Sequence, residues 1–253
     1  MNFWKELNKP ISASAPMAGV TDANFRRALA EAGGPDVIWT EMIPLPGIVA
    51  KGKEAFEKHM RFSEIERPVV FQFFGAKPEQ FALCGKIAKK YGADGIDINM
   101  GCPDRNILKQ GAGACIIKSP SLAKEIIGIT KENSLGLPVS VKTRIGYSEA
   151  KETENWITAL AEEKLAAIIV HGRTKEEGRK GKADWKQIKR AGKIIKTISP
   201  ETIVLGNGDI KSREEGEMRA KEAGIDGYMV GRALVKNMRF FAGLQGISQL
   251  RSL

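Results

Sequence analysis

Residues 94–103 read DGIDINMGCP, a buried strand that runs into a tight loop carrying a thiol. Asp97 and Asn99 are two apart, so in a strand they share one face. Gly101 and Pro103 bracket Cys102 and end the strand abruptly. A polar pair beside a thiol, closing an otherwise apolar strand, is unusual for a segment that only packs. A strand end with an inert cysteine explains the same letters, because free cysteine is among the most buried residues. On this stretch alone both readings stay open.

Outward from it, short apolar runs alternate with longer amphipathic ones, the pattern of βαβ units. Eight strands are predicted: Ile11–Met17, Val37–Ile43, Pro68–Phe74, Gly95–Met100, Leu137–Thr143, Ala166–Val170, Thr202–Gly206 and Gly227–Val230. Thr21-Asp22 caps a helix carrying Phe25, Leu29 and Ala32 and stopped by Gly33-Gly34. Pro78 to Tyr91 and Ser119 to Asn133 are the clearest helices, each with a proline in its first turn. Helices are also predicted over 149–163, 184–198 and 213–223, with a weaker one from Ile48 to Met60. Eight strands in strict alternation close into a (β/α)8 TIM barrel; an open doubly wound sheet is the alternative. The barrel is assigned to residues 1–235, and 236–253 to the last barrel helix and a short tail.

Barrel strands are buried on both faces and should be nearly all apolar. Glu41, Gln72, Asn99, Lys142, Arg144 and His171 break that rule, each late in its strand or just past it. Active sites in this fold lie at that rim, built from several strand ends. Buried polar groups that satisfy one another would explain one or two such residues; six at one end favour a ligand site. Asn207, Gly208 and Asp209 follow the seventh strand, and Gly231 and Arg232 the eighth. Barrels often hold phosphate there, where glycine lets backbone N–H groups approach and an arginine can add a forked contact. Ordinary βα turns are the other reading of these glycines.

The chain has 253 residues, 42% of them hydrophobic and 28% charged, which suits one barrel of about 250 residues. No apolar run is long enough to cross a bilayer. The first ten residues lack an apolar signal core, so no export is expected. Cys84, Cys102 and Cys115 are odd in number and lack metal-site spacing, which favours a reduced, cytoplasmic setting without metal. Forty Lys and Arg against 30 Asp and Glu give a net +10, a balance that favours polyanionic partners. Residues 173–196 hold ten basic and three acidic side chains. A solvated helix face is the commoner cause of such a run, but this one begins in a loop directly after a strand, so an RNA-facing loop stays open.

APMAGVTDANFR (15–26), FQFFG (71–75), DGIDINMGCP (94–103), GAGA (111–114), VSVKTRIG (139–146), VHGRT (170–174), LGNGDI (205–210) and MVGRA (229–233) together resemble the tRNA-dihydrouridine synthases, in that family's order. The resemblance spans about residues 11–235. It implies an FMN-dependent barrel enzyme that reduces the carbon 5–carbon 6 double bond of particular uridines in tRNA, with NADPH as reductant. By that resemblance Pro16, Met17 and Ala18 lie along the flavin ring and Gln72 bonds its polar edge. Lys142 contacts the flavin and ribityl chain, and His171 lies near the phosphate and ring. Asn207, Gly208, Asp209, Gly231 and Arg232 match the phosphate and ribityl loops, and Cys102 the proton donor.

A thiol with an ordinary pKa of about 8.5 is mostly protonated at neutral pH and can act as general acid. Lys142 and Arg144 pull the other way, since a close cation favours thiolate; Lys142 is expected to face the flavin rather than the sulfur. Asn99 is placed to bond the uracil edge, with Arg144 and Arg173 holding ribose or phosphate. Arg105, Lys109, Arg179, Lys180 and Lys182 are candidates for the tRNA backbone. Cys84 and Cys115 read as packing. Family members usually continue into a C-terminal helical domain; this sequence stops at Leu253, as a shortened chain or a minimal barrel, and Asn237-Met238-Arg239-Phe240 stands where the family often has Pro-Trp. A monomer is expected. Two other readings are kept: an FMN barrel oxidoreductase on a small molecule, such as a dihydroorotate-type dehydrogenase, and a flavin-bearing RNA-binding protein with little catalysis.

Overall fold

The computed structural model describes residues 2–242. Eight strands, β1 (Ile11–Ser14), β2 (Ile38–Pro44), β3 (Val69–Phe74), β4 (Gly95–Met100), β5 (Val139–Arg144), β6 (Ala167–His171), β7 (Ile203–Asn207) and β8 (Gly227–Val230), form one parallel sheet. Each strand pairs with its sequence neighbour, β1 pairs with β8, and a bridge between Ala13 and Val37 joins β1 to β2. The result is a closed (β/α)8 barrel.

The strand alternation sorts side chains into two cores. Phe71, Phe73, Ile96, Ile98, Val139, Val141, Ile168, Val170 and Val204 point outward and pack beneath the helices. Ile11, Val37, Trp39, Val70, Ile169, Leu205 and Met229 point inward and fill the lower barrel. Trp4, from a 3-10 turn at Phe3–Glu6, joins that inner cluster and stacks obliquely on Trp39, with 5.8 Å between ring centroids. The lower barrel is therefore apolar and filled, and polar side chains collect above it, toward the carboxyl ends of the strands.

Nine helices connect the strands among the described residues: α1 (Ala23–Glu31), α2 (Leu45–Lys51), α3 (Cys84–Tyr91), α4 (Arg105–Lys109), α5 (Pro120–Glu132), α6 (Thr153–Ala161), α7 (Trp185–Ile198), α8 (Arg213–Ala223) and α9 (Arg232–Lys236). Asp22, Asp104, Ser119, Asp184 and Ser212 cap α1, α4, α5, α7 and α8, each accepting from backbone N–H groups of the first turn. The helix expected over 48–60 is two pieces: α2 begins earlier, on Leu45-Pro46, and stops at Gly52, whose φ of +78° breaks the turn before a 3-10 segment at Lys53–His59. Of the segment 236–253 assigned to a last helix and tail, α9 takes in Lys236, a turn carries Phe240 and Phe241 back to Tyr228, and residues 243–253 lie outside those described. Among the described residues no helix is long and apolar enough to cross a membrane.

Candidate active site

β4 delivers the thiol. Asp97 and Asn99 point into the barrel, as their spacing predicts. Asp97 lies in register with Gln72 of β3 and Ser140 of β5, and Asn99 with Lys142. Asp97 is fully buried; its carboxylate accepts from Ser140 Oγ and Gln72 Nε2, each at 2.6 Å. Gln72 Oε1 in turn accepts from Asn99 Nδ2 at 2.8 Å. Asn99 Oδ1 then accepts the backbone N–H groups of Gly101, at 3.1 Å, and Cys102, at 2.9 Å. Both ends of the Asn99 amide and of the Gln72 amide are thus engaged within the protein.

Three further contacts fix the cysteine loop. Arg144 Nε donates to Gly101 O at 2.6 Å. Ala114 N, in the GAGA stretch, donates to Cys102 O at 3.0 Å. Gly113 holds φ +62°, and a Cβ there would sit 2.8 Å from Cys102 O and 2.9 Å from Ile107 Cγ2. No other residue type fits that backbone beside Cys102. Burial raises the Cys102 thiol pKa; the Asp104 charge adds to this, while the Asp104 backbone N–H, Arg144 and Lys142 oppose it. Removal from water wins, so the sulfur is held as thiol rather than thiolate at neutral pH.

The arc from β5 round to β8 carries positive charge. Lys142 Nζ reaches across to Asn207 Oδ1 at 3.2 Å, and Asn207 Nδ2 donates to Met229 O. Desolvation, and then repulsion from Arg144, lower Lys142 to about 8. His171 is held well below its ordinary value by burial and by Lys142, Arg144, Arg173 and Arg232. Asp209, at a φ of +54°, accepts from Arg173 Nη2 at 2.6 Å, Arg232 Nη2 at 2.9 Å and Ala183 N at 2.8 Å. These donors outweigh its desolvation and keep its carboxyl below the usual range.

The two arginines assigned to substrate are occupied with backbone. Arg144 Nη1 donates to Thr174 O and Gly178 O. Arg173, 2% exposed, donates to Lys180 O and Gly181 O besides Asp209. Arg173 therefore shapes the basic loop after β6, whose Arg179, Lys180 and Lys182 side chains are exposed. Arg105 is also exposed, at the start of α4, as is Lys109 at its end. Cys84 is buried in the outer core, and Cys115 Sγ is near Leu108 O.

On the β1 side, Pro16 and Met17 are partly exposed and Ala18 is exposed. The turn is closed by Val20 N and Thr21 N donating to Met17 O, and by Met17 N donating to Thr21 Oγ1. Two supports were not anticipated from the sequence. Glu41 Oε1 accepts Gly19 N at 2.6 Å while His59 Nδ1 lies 3.2 Å from Glu41 Oε2. Arg26, fully buried, pairs with Glu66 at 2.9 Å and donates to Thr21 O and Arg61 O. Glu41 was legible as a polar residue late in its strand, though its partners were not; for the Arg26–Glu66 pair the only signal was an arginine on the apolar face of α1, inside the quoted 15–26 stretch.

The arrangement can hold an anion. Lys142, Arg144, Arg173 and Arg232 surround His171, with Asp97 bearing on Lys142 and Asp209 paired to Arg173 and Arg232. Beside Arg232, a Cβ on Gly231 would meet Ala15 Cβ at 3.4 Å and Met17 Sδ at 3.5 Å, so the end of β8 lies bare against the 15–17 turn. An FMN phosphate suits the charge and the bare backbone suits a close-lying ring and chain; the donor set fits the group.

A protonated thiol at the end of β4, a cationic arc running from β5 to β8 and an apolar floor define a barrel enzyme with its chemistry at the strand ends. The chain matches the family described as Dihydrouridine synthase (Dus) over residues 13–249. It is 41% identical over 237 residues to a probable tRNA-dihydrouridine synthase of Staphylococcus aureus (strain COL), covering 93% of this chain and 72% of the relative. It is 39% identical, with the same coverage, to probable tRNA-dihydrouridine synthase 2 of Bacillus subtilis (strain 168). A solved structure of a variant of NCR from Zymomonas mobilis superposes with a TM-score of 0.57 over 88% of this chain and 82% of that one, at 12% identity, a likeness of fold alone. This chain belongs to the dihydrouridine synthase family.

Proposed function

We propose that this enzyme reduces the carbon 5–carbon 6 double bond of uridines in tRNA to 5,6-dihydrouridine, with FMN in the barrel mouth, NADPH as reductant and Cys102 as proton donor. The names of its relatives support the tRNA substrate, a polyanion met in the cytoplasm. The observation that carries the chemistry is the Cys102 thiol, fixed at the end of β4 by four backbone contacts and kept protonated by burial.

In this reading Lys142, His171, Asn207, Gly208, Asp209, Gly231 and Arg232 hold the phosphate and ribityl chain, and Pro16, Met17, Ala18 and Gln72 border the ring. FMN, when bound, supplies the hydride for carbon 6 of the uracil. The protein's part is placement and the proton. Cys102 gives its proton to carbon 5, where negative charge develops, and a thiol near its ordinary or raised pKa is a suitable acid there at neutral pH. The uracil must leave its stack to reach such a pocket. Asn99, Arg144 and Arg173 then lie beside the base and its sugar, on the rim they shape. Arg105, Lys109, Arg179, Lys180 and Lys182 offer exposed charge to the tRNA backbone.

Purified enzyme should be yellow with an FMN spectrum, and NADPH with unmodified tRNA should yield dihydrouridine. A colourless protein that cannot be loaded with FMN, or a flavoprotein that reduces a free pyrimidine but never tRNA, would reject the proposal.

A further inference from the structure

Asp97 is a buried carboxylate that the proposed chemistry does not use. Its contacts form a directed chain: Ser140 Oγ and Gln72 Nε2 donate to Asp97, Asn99 Nδ2 donates to Gln72 Oε1, and the Gly101 and Cys102 N–H groups donate to Asn99 Oδ1. Direction matters because an ionised carboxylate can only accept. Gln72 must turn its NH2 toward Asp97, which leaves its oxygen for Asn99. Asn99 must then turn its own NH2 toward Gln72, which leaves its oxygen for the cysteine loop. The other end imposes the same order, since two backbone N–H groups require an acceptor. Each link is 3.1 Å or shorter, and Gln72 and Asp97 are wholly buried.

We infer that Asp97 is a positioning residue for Cys102, acting through Gln72 and Asn99 to fix the backbone that aims the thiol. The inference deepens the reading of Cys102 as proton donor and rests on it for its catalytic meaning. The alkylation test below needs no turnover, so a relay that fails is distinguishable from a cysteine that is not the donor.

The relay makes a prediction that a merely structural carboxylate does not. In Asp97→Asn the new amide can keep the order, with its oxygen toward Gln72 Nε2 and its NH2 toward Ser140 Oγ. The leucine of Asp97→Leu cannot. Asn99→Asp puts a carboxylate on each side of Gln72, whose single NH2 serves only one. The double substitution Asp97→Asn/Asn99→Asp restores a chain of reversed order. The amide at position 97 then donates to Gln72 Oε1, Gln72 Nε2 donates to the carboxylate at position 99, and that carboxylate still accepts from Cys102 N–H.

The readout is Cys102 alkylation by iodoacetamide across pH 6 to 10 on the flavin-loaded enzyme, followed by peptide mass spectrometry with Cys84 and Cys115 as internal references. Asp104, Arg144 and Lys142 bear on Cys102 and are unchanged in every variant; the carboxylate that Asn99→Asp adds beside the Cys102 N–H is common to the single and the double variant, so comparing those two isolates the order of the chain. Asp97→Leu should raise the Cys102 rate at pH 7 about fivefold or more and lower its apparent pKa, as the loop opens to water. Asp97→Asn should stay within about twofold of the parent at each pH. A Cys102 profile for Asp97→Leu that superposes on the parent overturns the inference. If Asp97→Leu does not fold, the swap decides: Asn99→Asp alone should disturb the profile and Asp97→Asn/Asn99→Asp should bring it back toward the parent. A double variant no closer to the parent than Asn99→Asp overturns the inference.

Discussion

Arg173 and Asp209 meet 2.6 Å apart and join the loop after β6 to the turn after β7. Arg173 is almost fully buried and also donates to Lys180 O and Gly181 O, so one guanidinium sets both the turn after β7 and the basic loop. A lysine cannot reproduce this, because a single ammonium does not span three acceptors in a planar fork. Arg173→Lys should cost about 3 kcal/mol of stability, the lower end for breaking a buried pair, since Asp209 is partly exposed and keeps Arg232. It should also weaken tRNA binding. Urea unfolding and fluorescence anisotropy check both; parent values in each would remove the pair from the account.

Gly113 supports the cysteine loop from the other side. Gly113→Ala forces a side chain against Cys102 O at a φ of +62°. Strain and crowding together should cost about 1–3 kcal/mol. Because the clash is with the loop of the proposed proton donor, kcat should fall while flavin content stays at the parent level. A variant with normal turnover and lower stability would separate this glycine from the chemistry.

Asp97 makes the stability of the fold depend on pH in an unusual direction. Burial raises its carboxyl to about 6, against an ordinary value near 4. Between those values the folded chain holds a proton that the unfolded chain has lost. This contribution is therefore fully present below about pH 4 and is lost as pH rises through about 6. Above pH 7 the ionised group costs on the order of 3 kcal/mol. Asp97→Asn should be more stable than the parent at pH 8 by up to that amount, and the gap should close between about pH 7 and 4.5. Urea unfolding at the two pH values measures it; a gap independent of pH would contradict the assignment.

The exposed side chains of Arg179, Lys180 and Lys182 stand on a loop whose backbone Arg173 fixes. Replacing all three by alanine should weaken tRNA binding and lower the slope of log affinity against log salt by about 2. FMN content should not change. An unaltered slope would place the tRNA elsewhere on the surface.

Much of this was legible in the sequence. A parallel strand buried on both faces leaves an apolar run that little else imitates, so all eight strands, and the rim position of Glu41, Gln72, Asn99, Lys142, Arg144 and His171, were readable from pattern. One-turn elements were not: α4 and the 3-10 turn at Gly113–Lys118 are too short to show a period. Partners were less legible still. The letters of Arg144 and Arg173 announce charge at a rim, and the sequence reading assigned both to substrate. Apart from Asp209, their contacts are carbonyls of Gly101, Thr174, Gly178, Lys180 and Gly181, set by loop paths that no local pattern encodes. The Arg26–Glu66 pair, 40 residues apart, is invisible for the same reason. Cys102 could be singled out because glycine and proline bracket it, whereas the burial that keeps it protonated required the fold.

The central claim is that Cys102 supplies the proton to carbon 5. Its most direct measurement is a single-turnover assay in which flavin-loaded enzyme, reduced by NADPH beforehand, is mixed with unmodified tRNA and dihydrouridine is followed in time. Cys102→Ala should reduce its flavin and bind tRNA like the parent, yet form dihydrouridine about 100- to 10,000-fold more slowly, the range for losing a general acid. Dihydrouridine appearing in Cys102→Ala at the parent rate would contradict the account.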